Sequence, residues 1–411
     1  NGTREEPIIL TAEGDDLKGS VTKDARGLWG GVIILGNAPV NLEEGEASIE
    51  GIPFAEPRGI YGGVDEYDNS GVLRYVSIRH AGFGFSEGNE INGLTLGGVG
   101  SGTTVEYVEV IANFDDGIEW FGGTVDVKYA SVSFCGDDGF DYDYGWRGNG
   151  QYWFYLGGDG GSIGRGGEHD GASPDLQEPF ARPTIFNATY IGAGVDAMGL
   201  EGDMSDFALN FRDRAGGFYH NSIFTDFPDQ ALSIEDLADD NMDTYANFQN
   251  GDLALRENIW WDFGASSNLE DLIAGAPAAD VASILVDNAN ALVDPMLAGI
   301  TRQPNGQLDP RPNEGPARQA GDAPTNASID ATNYKGAFDP SEPLWLEGWT
   351  ALDEYGYLGN LVSANDIETE GFVFYGVTPT PVTNVATIEF ELPRTATVNM
   401  VIFDMMGRQV A

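Results

Sequence analysis

The chain has one cysteine, three histidines and 20 Lys+Arg among 411 residues, and each scarcity excludes something. A lone Cys135 rules out an internal disulfide, and no Cys/His spacing suited to zinc occurs. As a small apolar side chain, Cys135 reads as a core residue rather than a nucleophile. The only lysines are Lys18, Lys23, Lys128 and Lys335, so few ammonium groups face the 66 Asp+Glu. A formal charge of −46 repels phosphates and anionic lipid, which sets aside nucleic acid and membrane surfaces as partners. No apolar run nears the roughly 20 residues that span a bilayer. The longest lies around Val32-Ile33-Ile34-Leu35, and no signal peptide opens the chain, so an already processed soluble form is expected. Phosphate-cradling glycine motifs are missing, and Gly160-Gly-Ser-Ile-Gly lacks the strand-to-helix context of a nucleophile elbow. Nucleotide chemistry and serine hydrolysis are thereby excluded.

What the chain has is repetition. Asn92-Gly-Leu-Thr-Leu, Asp116-Gly-Ile-Glu-Trp, Asp138-Gly-Phe-Asp-Tyr and Asp229-Gln-Ala-Leu-Ser-Ile carry one phrase: Asn or Asp, small, apolar, polar, apolar. The first spacings are 116 − 92 = 24 and 138 − 116 = 22 residues, a solenoid period. A second phrase, Tyr75-Val-Ser-Ile, Tyr107-Val-Glu-Val and Tyr129-Ala-Ser-Val, recurs beside the first, so each unit holds two strands. No helix fits inside such a unit, and parallel strands cannot be joined by tight hairpins. The predicted class is all-β, a right-handed parallel β-helix.

The solenoid is predicted over residues 1–362. Gly-rich text at 157–183 reads as a long loop off one face. Helical spacing of Leu272, Ile273, Val281, Ile284, Leu285, Leu292 and Val293 predicts one or two short helices within a helical and cap region at 239–358. Aromatic residues between Trp345 and Leu358 are expected to cover the exposed final coil. A polar linker follows at 363–371. The alternating segments Val385-Ala-Thr-Ile-Glu-Phe-Glu-Leu and Val398-Asn-Met-Val-Ile-Phe-Asp then predict the start of a small β-sandwich at 372–411.

Stacking at this period brings Asp115 and Asp116 near Asp137 and Asp138 at the separation of neighbouring strands, about 4.8 Å. Carboxylates that close perturb each other and are what glycoside hydrolysis requires, so these four are the catalytic candidates. A structural ladder explains the same Asn/Asp positions without any substrate, through hydrogen bonds at the bends. Glu119, Asp141 and Asp143 alternate with Ile118, Trp120, Phe140 and Tyr142, and so form an acidic outer face able to hold calcium. In the loop, His169 lies between Glu168 and Asp170 and reads as a metal ligand or general base; the two acids extend the metal candidates. His80 and His220 read as structural. Trp146, Tyr152, Trp153 and Tyr155 cluster before the loop and offer either core packing or flat platforms for sugar rings.

The tail also resembles a known family. Thr378-Pro-Thr-Pro-Val-Thr-Asn, Ala386-Thr-Ile-Glu-Phe-Glu-Leu-Pro and Phe403-Asp-Met-Met-Gly-Arg-Gln-Val are similar to the C-terminal sorting domain of type IX secretion cargo. That resemblance implies an immunoglobulin-like sandwich, here short of its final strands, and recognition by the type IX translocon. It places the protein outside a Gram-negative cell, secreted or attached to the outer surface. The body resembles β-helix proteins that carry this tail, through Arg26-Gly-Leu-Trp-Gly-Gly-Val-Ile-Ile-Leu-Gly-Asn, Gly167-Glu-His-Asp-Gly, Leu308-Asp-Pro-Arg-Pro, Gly336-Ala-Phe-Asp-Pro and Trp345-Leu-Glu-Gly-Trp-Thr. By that resemblance a first coil and its cover are expected ahead of Asn1. The resemblance implies no particular activity. The expected function is a non-catalytic surface module that binds cations, a polysaccharide or a surface protein. A polysaccharide lyase or hydrolase, and a subunit stacking end to end, are the alternatives.

Overall fold

Segments whose apolar residues sit at alternate positions can bury only one face, and here each segment finds its partner one turn further along the chain. The computed structural model describes residues 1–359 apart from 18–20, 23–24, 87, 163, 173, 175–176, 198–199, 202–206, 238–241 and 320, together with 373–378 and 387–391. Two long parallel sheets dominate it. One has eight strands, in spatial order Val32–Leu35, Leu94–Gly97, Ile118–Phe121, Phe140–Asp143, Gly167–Asp170, Leu209–Arg212, Leu232–Ile234 and Ile273–Gly275. The other has twelve, from Ile8–Leu10 through Val72–Arg79, Thr104–Ile111, Val127–Ser133 and Asn149–Leu156 to Ala291–Leu292. The chain alternates between the sheets, so each coil gives one strand to the eight-stranded sheet and a longer stretch to the twelve-stranded one. The fold is an all-β parallel β-helix.

Inward residues form continuous columns. On the eight-stranded sheet, register aligns Ile34, Leu96, Trp120, Tyr142, His169, Phe211 and Ile234. Trp120 stacks on Trp146 at 4.6 Å and on Trp153 at 5.0 Å, and Tyr142 on His169 at 4.1 Å. Each such pair adds about 0.5–1.5 kcal/mol beyond area burial. Cys135 is buried in this core, as its size predicts.

On the twelve-stranded sheet each long strand bends at one tyrosine. Tyr75, Tyr107, Tyr129 and Tyr152 have φ of 50°, 54°, 56° and 60°, a left-handed conformation that costs an ordinary residue roughly 1–2 kcal/mol. Face-to-face stacking at 4.4, 4.3 and 4.6 Å offsets that cost. In later coils Asn187 and Asn221 take the same conformation (φ 56° and 53°), which asparagine tolerates better.

Three expectations need correcting. The 157–183 stretch is not a structureless loop: Gly167–Asp170 pairs with Phe140–Asp143 on one side and Leu209–Arg212 on the other, as a full member of the sheet. Glycine content disguised a strand whose alternation resumes at Gly167. Residues 239–358 hold the short helices Thr244–Asn250 and Ala278–Asp287, but also the strands Leu253–Arg256, Ile259–Phe263, Ile273–Gly275 and Ala291–Leu292, so coiling continues to about 292. Finally, Trp345 to Leu358 does not cover the last coil. It runs back along the outside of the twelve-stranded sheet, with Trp349 edge-on to Tyr75 at 5.5 Å and Trp345 edge-on to Tyr129 at 5.6 Å.

Contacts divide the chain into Asn1–Gly359 and Asn360–Ala411. In the second unit, Val373–Thr378 pairs antiparallel with Thr387–Glu391, so a strand with a partner lies within the predicted segment, whose residues 385, 386 and 392 fall outside the described ones. The linker at 363–371 and the predicted strand at 398–404 lie outside the described residues.

The returning segment is fastened by Glu109, which is fully buried. Its carboxylate accepts from Ser77 Oγ, from Ala351 N at 2.7 Å and from Leu352 N at 3.3 Å. Nearby, Arg79 pairs with Glu354 at 2.8 Å. Replacing Glu109 by Ala strands two backbone donors and leaves Arg79 with Glu354 as its remaining carboxylate. We expect a loss of about 3 kcal/mol in urea unfolding and faster proteolysis between 340 and 358. Unchanged unfolding and cleavage would show that Glu109 does not hold the segment.

Candidate metal-binding cleft

The outward side of the eight-stranded sheet is built by the same register as the core. Alternation turns Thr95, Glu119, Asp141, Glu168 and Asn210 into one column, and Asp143, Asp170 and Arg212 extend a second beside it. The bends before these strands stack too. Asp116 Oδ1 accepts Asp138 N at 2.9 Å, and Asp138 Oδ1 accepts Arg165 N, so the structural ladder exists. Gly117 and Gly139 follow the two aspartates because a Cβ there would meet Val132 Cγ1 at 2.3 Å or Tyr155 Cδ2 at 2.5 Å in the next coil.

Walls rise on this floor. Residues 36–61, with the antiparallel pair Ala47–Ser48 and Ile60–Tyr61, pack Val40, Ile49 and Tyr61 against Ile91 and Phe121. A hairpin of Phe83–Ser86 and Asn89–Ile91 stands next to them. Together they enclose a cleft of about 750 Å³ lined by Glu50, Glu90, Asp115, Asp116, Glu119, Asp137, Asp138, Asp141, Asp143, Glu168 and Asp170, with Arg26 and Arg212 as the cations of the lining among the described residues. Eleven carboxylates thus face two guanidinium groups of the lining and a third, Arg165, which pairs with Glu168 at 2.5 Å and Asp138 at 3.4 Å.

Compensation is uneven. At one end Glu168 receives Arg165 at 2.5 Å, Arg212 at 2.9 Å and Asn210 at 2.9 Å, and Asp170 receives Arg212 at 2.7 Å. Toward the other end the acids converge on one another. Ligand oxygens of Asp116, Glu119 and Asp141 lie within 4.8 Å of one another, as do those of Asp116, Asp137 and Asp138. Asp116 belongs to both groups. Among the described residues, Asp137 Oδ1, Asp141 Oδ1 and the buried Asn92 Oδ1 have no hydrogen-bond partner, while Asn92 Nδ2 donates to Glu119.

Burial, and then the facing carboxylates, push Glu50, Asp115 and Asp137 up to about 7. The same causes hold Asp116, Glu119, Asp138, Asp141 and Asp143 well above the usual carboxylate range. Burial raises Asp170 to about 7 against the pull of Arg212. An all-oxygen donor set of this kind fits a hard cation such as calcium and not a soft one.

All nine acids singled out in the sequence, the four catalytic and the five metal candidates, meet in this one cleft. The acidic face is outward from the sheet, as alternation predicts, but it is roofed rather than open: Glu119 is 7% exposed. Asp115 and Asp143 line the cleft outside the two converging groups, and Glu168 and Asp170 are taken up by arginines.

His169 is not in the cleft. It occupies the inward position between Glu168 and Asp170, fully buried, with Nε2 at 2.8 Å from Tyr219 Oη. Burial holds it down at about 3, so it is a neutral core ring. The platform reading also fails, because Trp146, Tyr152, Trp153 and Tyr155 are all buried.

Glu50, Glu90, Arg165 and Arg212 were not anticipated. Alignment of Leu209-Asn-Phe-Arg under Gly167-Glu-His-Asp would have revealed Arg212; nothing local marks Glu50 or Glu90, which arrive from insertions outside the period.

Neither the comparison with curated proteins nor that with solved structures yields a match. A family model described as "Pectate-lyase like beta helix domain" matches residues 1–291, which carry the cleft and nearly all the coils. Repeat, register and this match agree, and the chain belongs to the family of pectate-lyase-like β-helix domains.

Proposed function

We propose that the protein is a non-catalytic β-helix module that binds divalent cations, calcium first, in the acidic cleft. The observation that carries this reading is the sharing of Asp116 between two converging carboxylate groups, beside buried oxygens with no partner among the described residues. Like charges so placed need protons or a cation, and calcium takes several oxygens at flexible geometry. A cation held there would offer open coordination positions to a polysaccharide or protein ligand.

The sign of the pH effect follows from the raised carboxylates. Between the unfolded value near 4 and about 7, the folded chain holds more protons than the unfolded one. That stability is fully present below the unfolded value and is lost as pH rises through the folded one. In chelator, the melting temperature is therefore expected to fall from about pH 5 to about pH 8. Calcium at about 100 times its Kd should restore roughly 2.7 kcal/mol at the higher pH. Asp116→Asn keeps the hydrogen bond to Asp138 N but should abolish both the calcium-induced rise and the calorimetric heat. No heat and no shift in the parent protein would refute the reading.

One observation favours a second reading, a polysaccharide lyase or hydrolase. Asp115 and Asp137 at about 7 have the acidity that general acid–base catalysis uses near neutrality. Soluble polysaccharides incubated with the protein and calcium would then gain reducing ends or unsaturated products, and Asp137→Asn would suppress them. We expect neither product.

The resemblance of 372–411 to a sorting domain supports export by a type IX translocon to the outside of a Gram-negative cell. In a host with that system, deletion of 372–411 should leave the β-helix in the periplasm. Equal export with and without the tail would remove this part of the proposal.

A further inference from the structure

A second concavity lies on the other sheet. Thr184–Phe186, Gly217–His220 and Leu253–Arg256 run side by side, in register Thr184–Phe218–Ala254 and Phe186–His220–Arg256. The intervening Ile185, Tyr219 and Leu255 are fully buried, so the six registered residues form an outward grid. Residues 322–329 close one side of it, enclosing about 390 Å³. That volume is within the roughly 300–1,000 Å³ of small-molecule sites.

The enclosure is anchored at both ends. Asn221 exchanges two hydrogen bonds with the Asp322 backbone, at 2.8 and 2.9 Å, and Asn326 Nδ2 donates to Asn149 Oδ1 at 2.7 Å. Within it, His220 Nδ1 lies 2.8 Å from Asp322 and Arg256 Nε donates to the same oxygen at 2.9 Å. Arg256 Nη1 is held by Asn288 at 2.9 Å. Burial keeps His220 below its ordinary range although Asp322 pulls the other way, so the neutral ring donates its Nδ1–H to Asp322 and leaves Nε2 as an acceptor. Neither His220 Nε2 nor Arg256 Nη2 has a hydrogen-bond partner among the described residues.

The pocket therefore offers a fixed acceptor, a fixed donor, the hydroxyls of Thr184 and Thr325 and the half-buried ring of Phe218, over which the Arg182 guanidinium lies at 5.0 Å from the centroid. Arg256 and Asp322 cancel in charge, and the chain's −46 disfavours an anionic guest. Paired donor and acceptor beside an aromatic ring suit vicinal hydroxyls with an apolar C–H face. We propose that this pocket binds an uncharged sugar residue of a glycan chain, independently of the cation cleft.

The test uses the full chain in EGTA, with cellohexaose, maltohexaose, xylohexaose and mannohexaose as neutral probes and hexagalacturonate as the anionic one. Saturation-transfer difference NMR should show contact with at least one neutral probe. Its calorimetric affinity should fall about tenfold in Arg256→Met and in Phe218→Ala. Arg256 is exposed at the surface, so its variant tests the site even if Phe218→Ala fails to fold. No neutral probe bound, affinity unchanged in both folded variants, or tighter binding of hexagalacturonate would each overturn the proposal. Binding that appears only when calcium replaces EGTA would overturn it too, and would assign the glycan to the cleft.

Discussion

In-register stacking of coils at about 4.8 Å is the constraint on which the rest of the molecule depends. It makes any residue type that recurs at the coil period into a column of touching neighbours. For apolar and aromatic side chains each added member is favourable, as in Trp120, Tyr142, His169 and Phe211 inside and the four stacked tyrosines outside. For carboxylates the same spacing is unfavourable, and increasingly so as walls exclude water. One geometric rule thus yields a core on one side of a strand and an electrostatic conflict on the other.

The molecule resolves that conflict in parts. The acidic column is bounded by Thr95 and Asn210, and its third acid, Glu168, is neutralised by Arg165 and Arg212. Asn92 donates to Glu119. Around Asp116 the carboxylates converge with Arg165, on Asp138, as their one ion pair among the described residues. A ladder of bends needs only acceptor oxygens, which asparagine would supply at no electrostatic cost. Asp138 also pairs with the Arg165 guanidinium at 3.4 Å, so the choice of aspartate at Asp116 is the part of the site that the ladder leaves unexplained.

Much of this was legible in the sequence because period and alternation are local properties. The Asp-Gly phrases fixed which residues share a column, and alternation assigned Glu119, Asp141 and Asp143 to the outward side. Where reading failed, composition had hidden a strand. Gly167-Glu-His-Asp sits in Gly-rich text, and without its strand assignment His169 could not be placed on the inward side opposite Glu168 and Asp170. Aromatic residues misled for the opposite reason: Trp146 and Trp153 are equally suited to a core and to a binding platform, and only burial distinguishes them. The walls of the cleft were out of reach, since Glu50 and Glu90 come from segments that break the repeat.

The path of the C-terminal segment has a consequence for how the molecule forms. Solenoids assemble from neighbour contacts and can fold progressively as the chain emerges. Here Ala351 bonds to Glu109 and Arg4 to Leu344 O, across 242 and 340 residues. The tyrosine column of the first coils stays uncovered until nearly all of the first unit has been made. Such long loop closures slow folding and join distant coils into one cooperative unit, so the finished molecule should melt as a block rather than fray coil by coil.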